Sequence, residues 1–171
     1  TSPLALRATW SVPDEGPRAD PTEAHGLVRG IYDVAPRPRS SELWTAHIML
    51  GTDTPQPALV FNDTVFPALS ILDPSGAQLA RLSVVGANAT GPVVDGAFGD
   101  IVSGPHSIAF SEDGRFAFVA DANSEDLLVV DAARRIEVTV VRPLPGHLPE
   151  GVAVHGDELY VEERNTEDVV A

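Results

Sequence analysis

The sequence predicts an all-β chain, and three observations carry that expectation. Fifteen Pro and fourteen Gly among 171 residues punctuate the chain every few positions and leave no clean helical stretch. The apolar runs between them are short and rich in aromatic and branched residues, as in Phe116-Ala117-Phe118-Val119 and Leu159-Tyr160-Val161. Leu127–Val141 fails a 3.6-residue period and reads as two strands around a turn, the second alternating through Ile136-Glu137-Val138-Thr139-Val140. Asp113-Gly114 and Gly156-Asp157 fit tight hairpins, because Gly and, less readily, Asp tolerate positive φ.

Self-similarity orders these strands. Gly114–Val129 lies over Gly156–Ala171 at an offset of 42 without a gap, with Gly, an aromatic, Val, Asn, Ser/Thr, Glu and Asp in register. Upstream, Pro105–Phe110 lies over Pro149–Val154 at an offset of 44, the difference falling in the hairpin turn. A looser copy precedes them: Gly30–Val34, Leu43–Ala46, Leu69–Asp73 and Leu79–Val84 take the four strand slots. Four short strands in about 40–45 residues is the period of a propeller blade.

The expected order is one repeat domain over 1–171. Residues 1–12 hold an outer strand, with Leu4–Thr9 resembling the fourth strand of a unit. A blade follows at 26–86 with an insertion at 48–67, then a second blade at 104–142 and three strands of another at 147–171. First strands, near the axis, take small residues such as Ser107, Ala109, Gly151 and Ala153. Second and third strands, covered on both faces, read as continuous apolar runs, and the fourth alternates with Glu137 and Thr139 outward. Three blades' worth cannot close a ring, since propellers use about 4–8 blades. The chain therefore reads as part of a longer propeller. The alternatives are an open stack, or self-completion in which Leu4–Thr9 of a second copy pairs beside Val169-Val170-Ala171 to make six blades.

Composition narrows the partners. Eleven cationic residues, all Arg, stand against 25 acidic ones for a net charge of −14. That balance excludes a phosphate-tracking stripe, and so nucleic acid, and it disfavours anionic lipid. No Cys is present, which removes disulfides, thiolate metal sites, a Cys nucleophile and covalent haem attachment within this chain. No apolar run of about 18 residues occurs, so no membrane insertion is expected. The N-terminus at Thr1 carries no charged-then-apolar leader, which fits an export signal removed or not included.

The pattern Gly104-Pro105, Ile108-Ala109-Phe110-Ser111, Asp113-Gly114-Arg115 and Phe118-Val119-Ala120, then Asn123-Ser124 and Val129-Val130-Asp131, resembles a known family. It is similar to the YVTN-type repeats of bacterial propellers in the lactonase-like β-propeller superfamily. The aromatic–Val pair recurs at Tyr160-Val161, and the closing Asp at Asp73. The resemblance covers Ser103–Ala171 and, more loosely, Gly26–Val85. Asn62–Ser70 resembles a variant in exported bacterial propellers that accompany dihaem peroxidase-like cytochromes. The resemblance implies a periplasmic or extracellular location and a haem-bearing module as partner. It implies no cofactor of this chain's own.

Candidate chemistry centres on histidines. His25, His106 and His147 precede first strands, whose loops ring one mouth of a propeller channel, and His47 follows Trp44-Thr45-Ala46 at the expected rim. Together they are the ligand-binding candidates, for an anion or metal, although their unequal spacing assigns no metal. The bland alternative is solvated loop histidines and a rim His47 bonded to a carbonyl. The acidic loops Asp121–Asp126 and Glu162–Asp168 have oxygen ligands suited to Ca²⁺ but lack EF-hand spacing, so turn capping by Asn and Ser/Thr explains them better. No Gly-x-Ser-x-Gly elbow and no phosphate loop occurs. Asn62 and Asn88 sit in formal glycosylation sequons. Pro13–Pro21 and Pro36-Arg37-Pro38-Arg39 read as extended connectors.

The expected function is non-catalytic: a propeller platform that binds a ligand or protein, or docks with the remaining blades of a longer chain. Two other classes remain, a lactonase-like hydrolase at the channel mouth and a surface-layer or adhesion repeat. No catalytic residue is assigned.

Overall fold

A computed structural model describes residues 8–17, 24–51, 65–84, 103–142 and 144–171. Every regular element among them is a strand, and the elements form three antiparallel sheets in chain order. The first sheet is β1 (Leu27–Pro36), β2 (Leu43–Leu50), β3 (Val65–Leu72) and β4 (Gln78–Ser83), paired in sequence order. The second is β5 (Pro105–Phe110), β6 (Phe116–Asp121), β7 (Asp126–Asp131) and β8 (Ile136–Val141), and the third is β9 (Pro149–His155), β10 (Glu158–Glu163) and β11 (Asp168–Val170). Each is a meander, and the three stack as an open series of propeller-type blades.

The turns explain why the strands end where they do. Gly114 and Gly156 both take positive φ, +71° and +61°, at the first hairpin of their blades. Glu125 and Glu167 repeat the left-handed conformation 42 residues apart, and Gly104 and Leu148 do so 44 residues apart, so backbone geometry follows both sequence offsets. At the third hairpins, between third and fourth strands, Asp73 and Asp131 accept turn amides, from Ser75 and Ala77 in one blade and from Ala133 and Arg134 in the other.

No blade can bury its apolar faces alone. Trp44, Leu69 and Ile71 of the first sheet share one core cluster with Ile108, Phe110, Val119, Leu128 and Val130 of the second. Trp44 meets Phe110 edge-on at 5.4 Å between ring centroids. Polar staples reinforce this joint. Arg37 Nε donates to the Gly114 carbonyl (2.8 Å) and Nη1 to the Ala132 carbonyl (3.2 Å), while Glu42 accepts from Arg37, Trp44 and Arg135. Near the axis, Asp33 Oδ2 accepts from Ile108 N (2.8 Å) and Ser107 Oγ (3.2 Å), and Ser107 Oγ accepts from Val152 N. One hydrogen-bonded thread thus crosses all three first strands.

Three expectations need correction or limits. The insertion is narrower than 48–67, because Ile48, Met49 and Leu50 pair with Pro67, Phe66 and Val65. The cause is a second apolar cluster in which Met49 and Phe66 pack with Ala24 and Ala68 and prolong both strands. In β8 the outward pair is not Glu137 and Thr139 alone: Glu137 is half-buried while Val138 is 52% exposed. A bulge is responsible. Val129 pairs with Thr139 and Val130 with Glu137, so Val138 has no partner and the alternation slips. Of the outer strand expected at 1–12, residues 8–12 carry no strand pairing, and the rest lies outside the described residues, as do Asn62, Asn88 and the segment 85–102.

Candidate functional site

The same irregularity recurs in each first strand, in the middle of β1 and at the start of β5 and β9. Ile31 pairs with His47 and Asp33 with Ala46, leaving Tyr32 over. Pro105 pairs with Asp121 and Ser107 with Ala120, leaving His106, and Pro149 pairs with Glu163 and Gly151 with Glu162, leaving Glu150. A bulge re-aims the extra side chain and is common next to functional sites. Tyr32, His106 and Glu150 therefore hold one equivalent position on three neighbouring inner strands. Tyr32 and His106 stack, with ring centroids 4.8 Å apart and planes at 27°. Glu150 receives Arg164 Nη1 on both oxygens, at 2.8 and 3.0 Å.

Opposite each bulge lies a buried ionisable residue: His47, Asp121 and Glu163 hold equivalent positions on the second strands and are sealed from solvent. His47 is the satisfied one. Its Nε2 lies 2.8 Å from Ser70 Oγ, which also accepts from Arg81 Nε at 3.1 Å, and its Nδ1 faces the Ile48 carbonyl at 3.4 Å. Burial first, and the Arg81 charge second, hold its pKa at about 4 against the Ile48 contact, so the ring is neutral at pH 7. Neither Asp121 oxygen has a partner at good hydrogen-bond geometry, although the Leu128 amide acts on the carboxyl as a donor. Burial, then the charge of Asp126, pushes its pKa well above the usual carboxylate range, while the Leu128 amide and Arg142 oppose this less strongly. Asp126 itself accepts from Arg142 at 2.6 Å. Both Glu163 oxygens are likewise without a partner, and the side chain lies against Gly146 and Thr166.

The loops after the second strands are tied to the starts of the first. Ala122 N donates to Gly104 O and Asn123 N to Ser103 O, and Arg164 N and Asn165 N repeat this with Leu148 O and His147 O. Ser124 Oγ accepts from Ser103 N and donates to Asp126. Of the side-chain capping expected in the acidic loops, Ser124 and Thr166 supply part, and backbone bonds supply the rest. Among the described residues no group of three or more His, Asp or Glu is placed to hold a metal ion.

The four histidines are therefore not brought together. His25 is buried against Phe66, with centroids 4.5 Å apart, and His47 is inside the first sheet, since β2 runs on to Leu50. His106 stands on the inner rim. His147 is exposed and meets Glu125 at 2.9 Å across the loops of the second and third blades. Tyr32, Glu150 and Asp33 belong to the same rim and were not singled out by the sequence. The signal available was positional: Glu150 follows Pro149 as His106 follows Pro105.

No protein-family model matches the sequence, and no curated protein matches it. Solved structures do. Hydrazine synthase of Kuenenia stuttgartiensis superposes with a TM-score of 0.66 at 13% identity, over 85% of this chain and 45% of that one. The fold is propeller-type. The WD40 repeats of RRP9 (TM-score 0.54, 16% identity, 88% of this chain and 39% of that one) agree with this. So does U3-55K (0.52, 16%, 91% and 43%). The chain spans less than half the length of each.

Proposed function

We propose that the chain is a non-catalytic binding platform whose recognition surface is the rim carrying Tyr32, His106 and Glu150. One observation carries this: each of three blades has a bulge that turns a different side chain out of the equivalent place, while groups suited to catalysis are sealed or paired. His47 and Ser70 have the spacing of a base and a nucleophile, yet both are fully buried and no substrate reaches them. The repeat residues Phe118-Val119, Tyr160-Val161 and Asp131 support a YVTN-type propeller of the lactonase-like superfamily as the source of this scaffold. On this reading the chain is part of a larger exported bacterial protein, and its partner is the remainder of that protein or a haem-bearing redox module. The resemblance around Asn62–Ser70 is what favours the redox module.

The test is an assay of the chain against a panel of sugar lactones. No turnover is expected. Turnover that disappears in His106→Ala or His47→Ala would establish the lactonase-like hydrolase instead.

A further inference from the structure

The rim has a chemistry that selects one class of ligand, and the argument rests on the platform reading above. Aromatic faces and carboxylates stand on neighbouring strands of it, since Val152 of β9 bonds to Ser107 of β5. Tyr32 keeps 44% of its surface exposed while stacked on His106. On the next inner strand Glu150 takes the equivalent position, and Glu162 folds over Gly151, whose missing side chain leaves room for that carboxylate: a Cβ there would lie 2.7 Å from Glu162 Oε2. A stacked ring pair with carboxylates on the neighbouring blade attracts a planar cation by quadrupole and charge together. The rest of the chain adds to this, because a net charge of −14 steers cations inward and repels anions.

Arg164 shows which cation fits. Its guanidinium reaches both oxygens of Glu150, and its side chain is 65% exposed against 19% for Glu150, so the cation is the exchangeable member of the pair. We propose that the Tyr32–His106–Glu150 rim is a docking site for an arginine-bearing peptide segment of a protein partner, and that Arg164 occupies the guanidinium position until the partner displaces it. The displacement makes an unusual prediction: removing a charge from this protein strengthens binding.

The experiment titrates the full chain with the hexapeptide Gly-Arg-Gly-Arg-Gly-Arg by calorimetry, and with the same peptide carrying neutral citrulline in place of arginine. Saturable binding to the arginine peptide is expected, with at least about tenfold weaker binding of the citrulline form. Tyr32→Ala should weaken binding about threefold to fivefold and Glu150→Gln about tenfold, whereas Arg164→Ala should tighten it. Tyr32 and Arg164 are exposed and Glu150 is half-buried, and unchanged melting curves confirm folding. Equal binding of the two peptides, or an Arg164→Ala variant that binds more weakly, overturns the assignment. That outcome without lactone turnover leaves the platform standing with a different ligand, whereas lactone turnover removes the platform itself.

Discussion

Gly114 and Gly156 occupy the same place in successive repeats, so replacing each by Ala isolates a single contact between blades. Both sit in the left-handed region, where a Cβ costs about 1–2 kcal/mol. At Gly156 nothing lies within 4 Å of the added atom, and the loss should stop there. At Gly114 the Cβ would run into the Pro38 carbonyl oxygen of the first blade, a backbone atom held by the turn bond from Arg37 N to Glu42 O. Relief requires the two turns to separate, which strains the bond from Arg37 Nε to Gly114 O, and a bond from a charged group contributes about 1.5–3 kcal/mol. Gly114→Ala should therefore destabilise by about 3–5 kcal/mol, and Gly156→Ala by about 1–2 kcal/mol. Urea unfolding followed by tryptophan fluorescence measures both, since buried Trp44 lies at this joint. Equal losses in the two variants would refute the claim that the first two blades are clamped through their turns.

Three further outcomes follow from the buried charges. Burial opposes ionisation of Glu42, but the hydrogen bonds from Arg37, Trp44 and Arg135 outweigh it and lower its pKa, so its stabilisation is present above about pH 4.5 and fades as pH falls through the folded value. Glu42→Gln should lower the melting temperature at pH 7 and flatten that acid limb in calorimetric scans. His47 also titrates low, at about 4 when folded against 6.5 for the free group, so stability should drop as pH falls from about 6.5 toward 4, by about 3 kcal/mol in all, and NMR of the ring should show it neutral at pH 6. Asp121 has the opposite sign: its raised pKa gives stability that is full below the unfolded value of 3.8 and lost as pH climbs toward the folded one. Asp121→Asn should thus gain over the wild type in thermal melts as pH rises above about 4, and a difference that stays constant with pH would contradict the raised pKa of Asp121.

What the sequence revealed was local. Asp113-Gly114, Gly156-Asp157 and the 42-residue offset are written in neighbouring letters, and each strand slot they defined is a strand in the structure. Register irregularities are not written that way. The residue left unpaired at Val138 looks like any other in an alternating run, so Thr139 is outward as expected but Val138 is more exposed than Glu137. His47 was expected on the rim because Ile48 looked like the start of an insertion, and only the packing of Met49 on Phe66 shows that the strand continues. Asp121 and Glu163 read as exposed loop acids, since nothing in an acidic run says which member turns inward.

The repeated bulge also bears on how such a surface can change. A residue outside the ladder contributes no cross-strand pair, so its exchange leaves strand register and the apolar interior undisturbed. Tyr, His and Glu at one station of three otherwise matching sheets are what drift without structural penalty would leave behind. A mouth assembled this way can be rewritten letter by letter, with its specificity altered while the stack beneath is inherited intact.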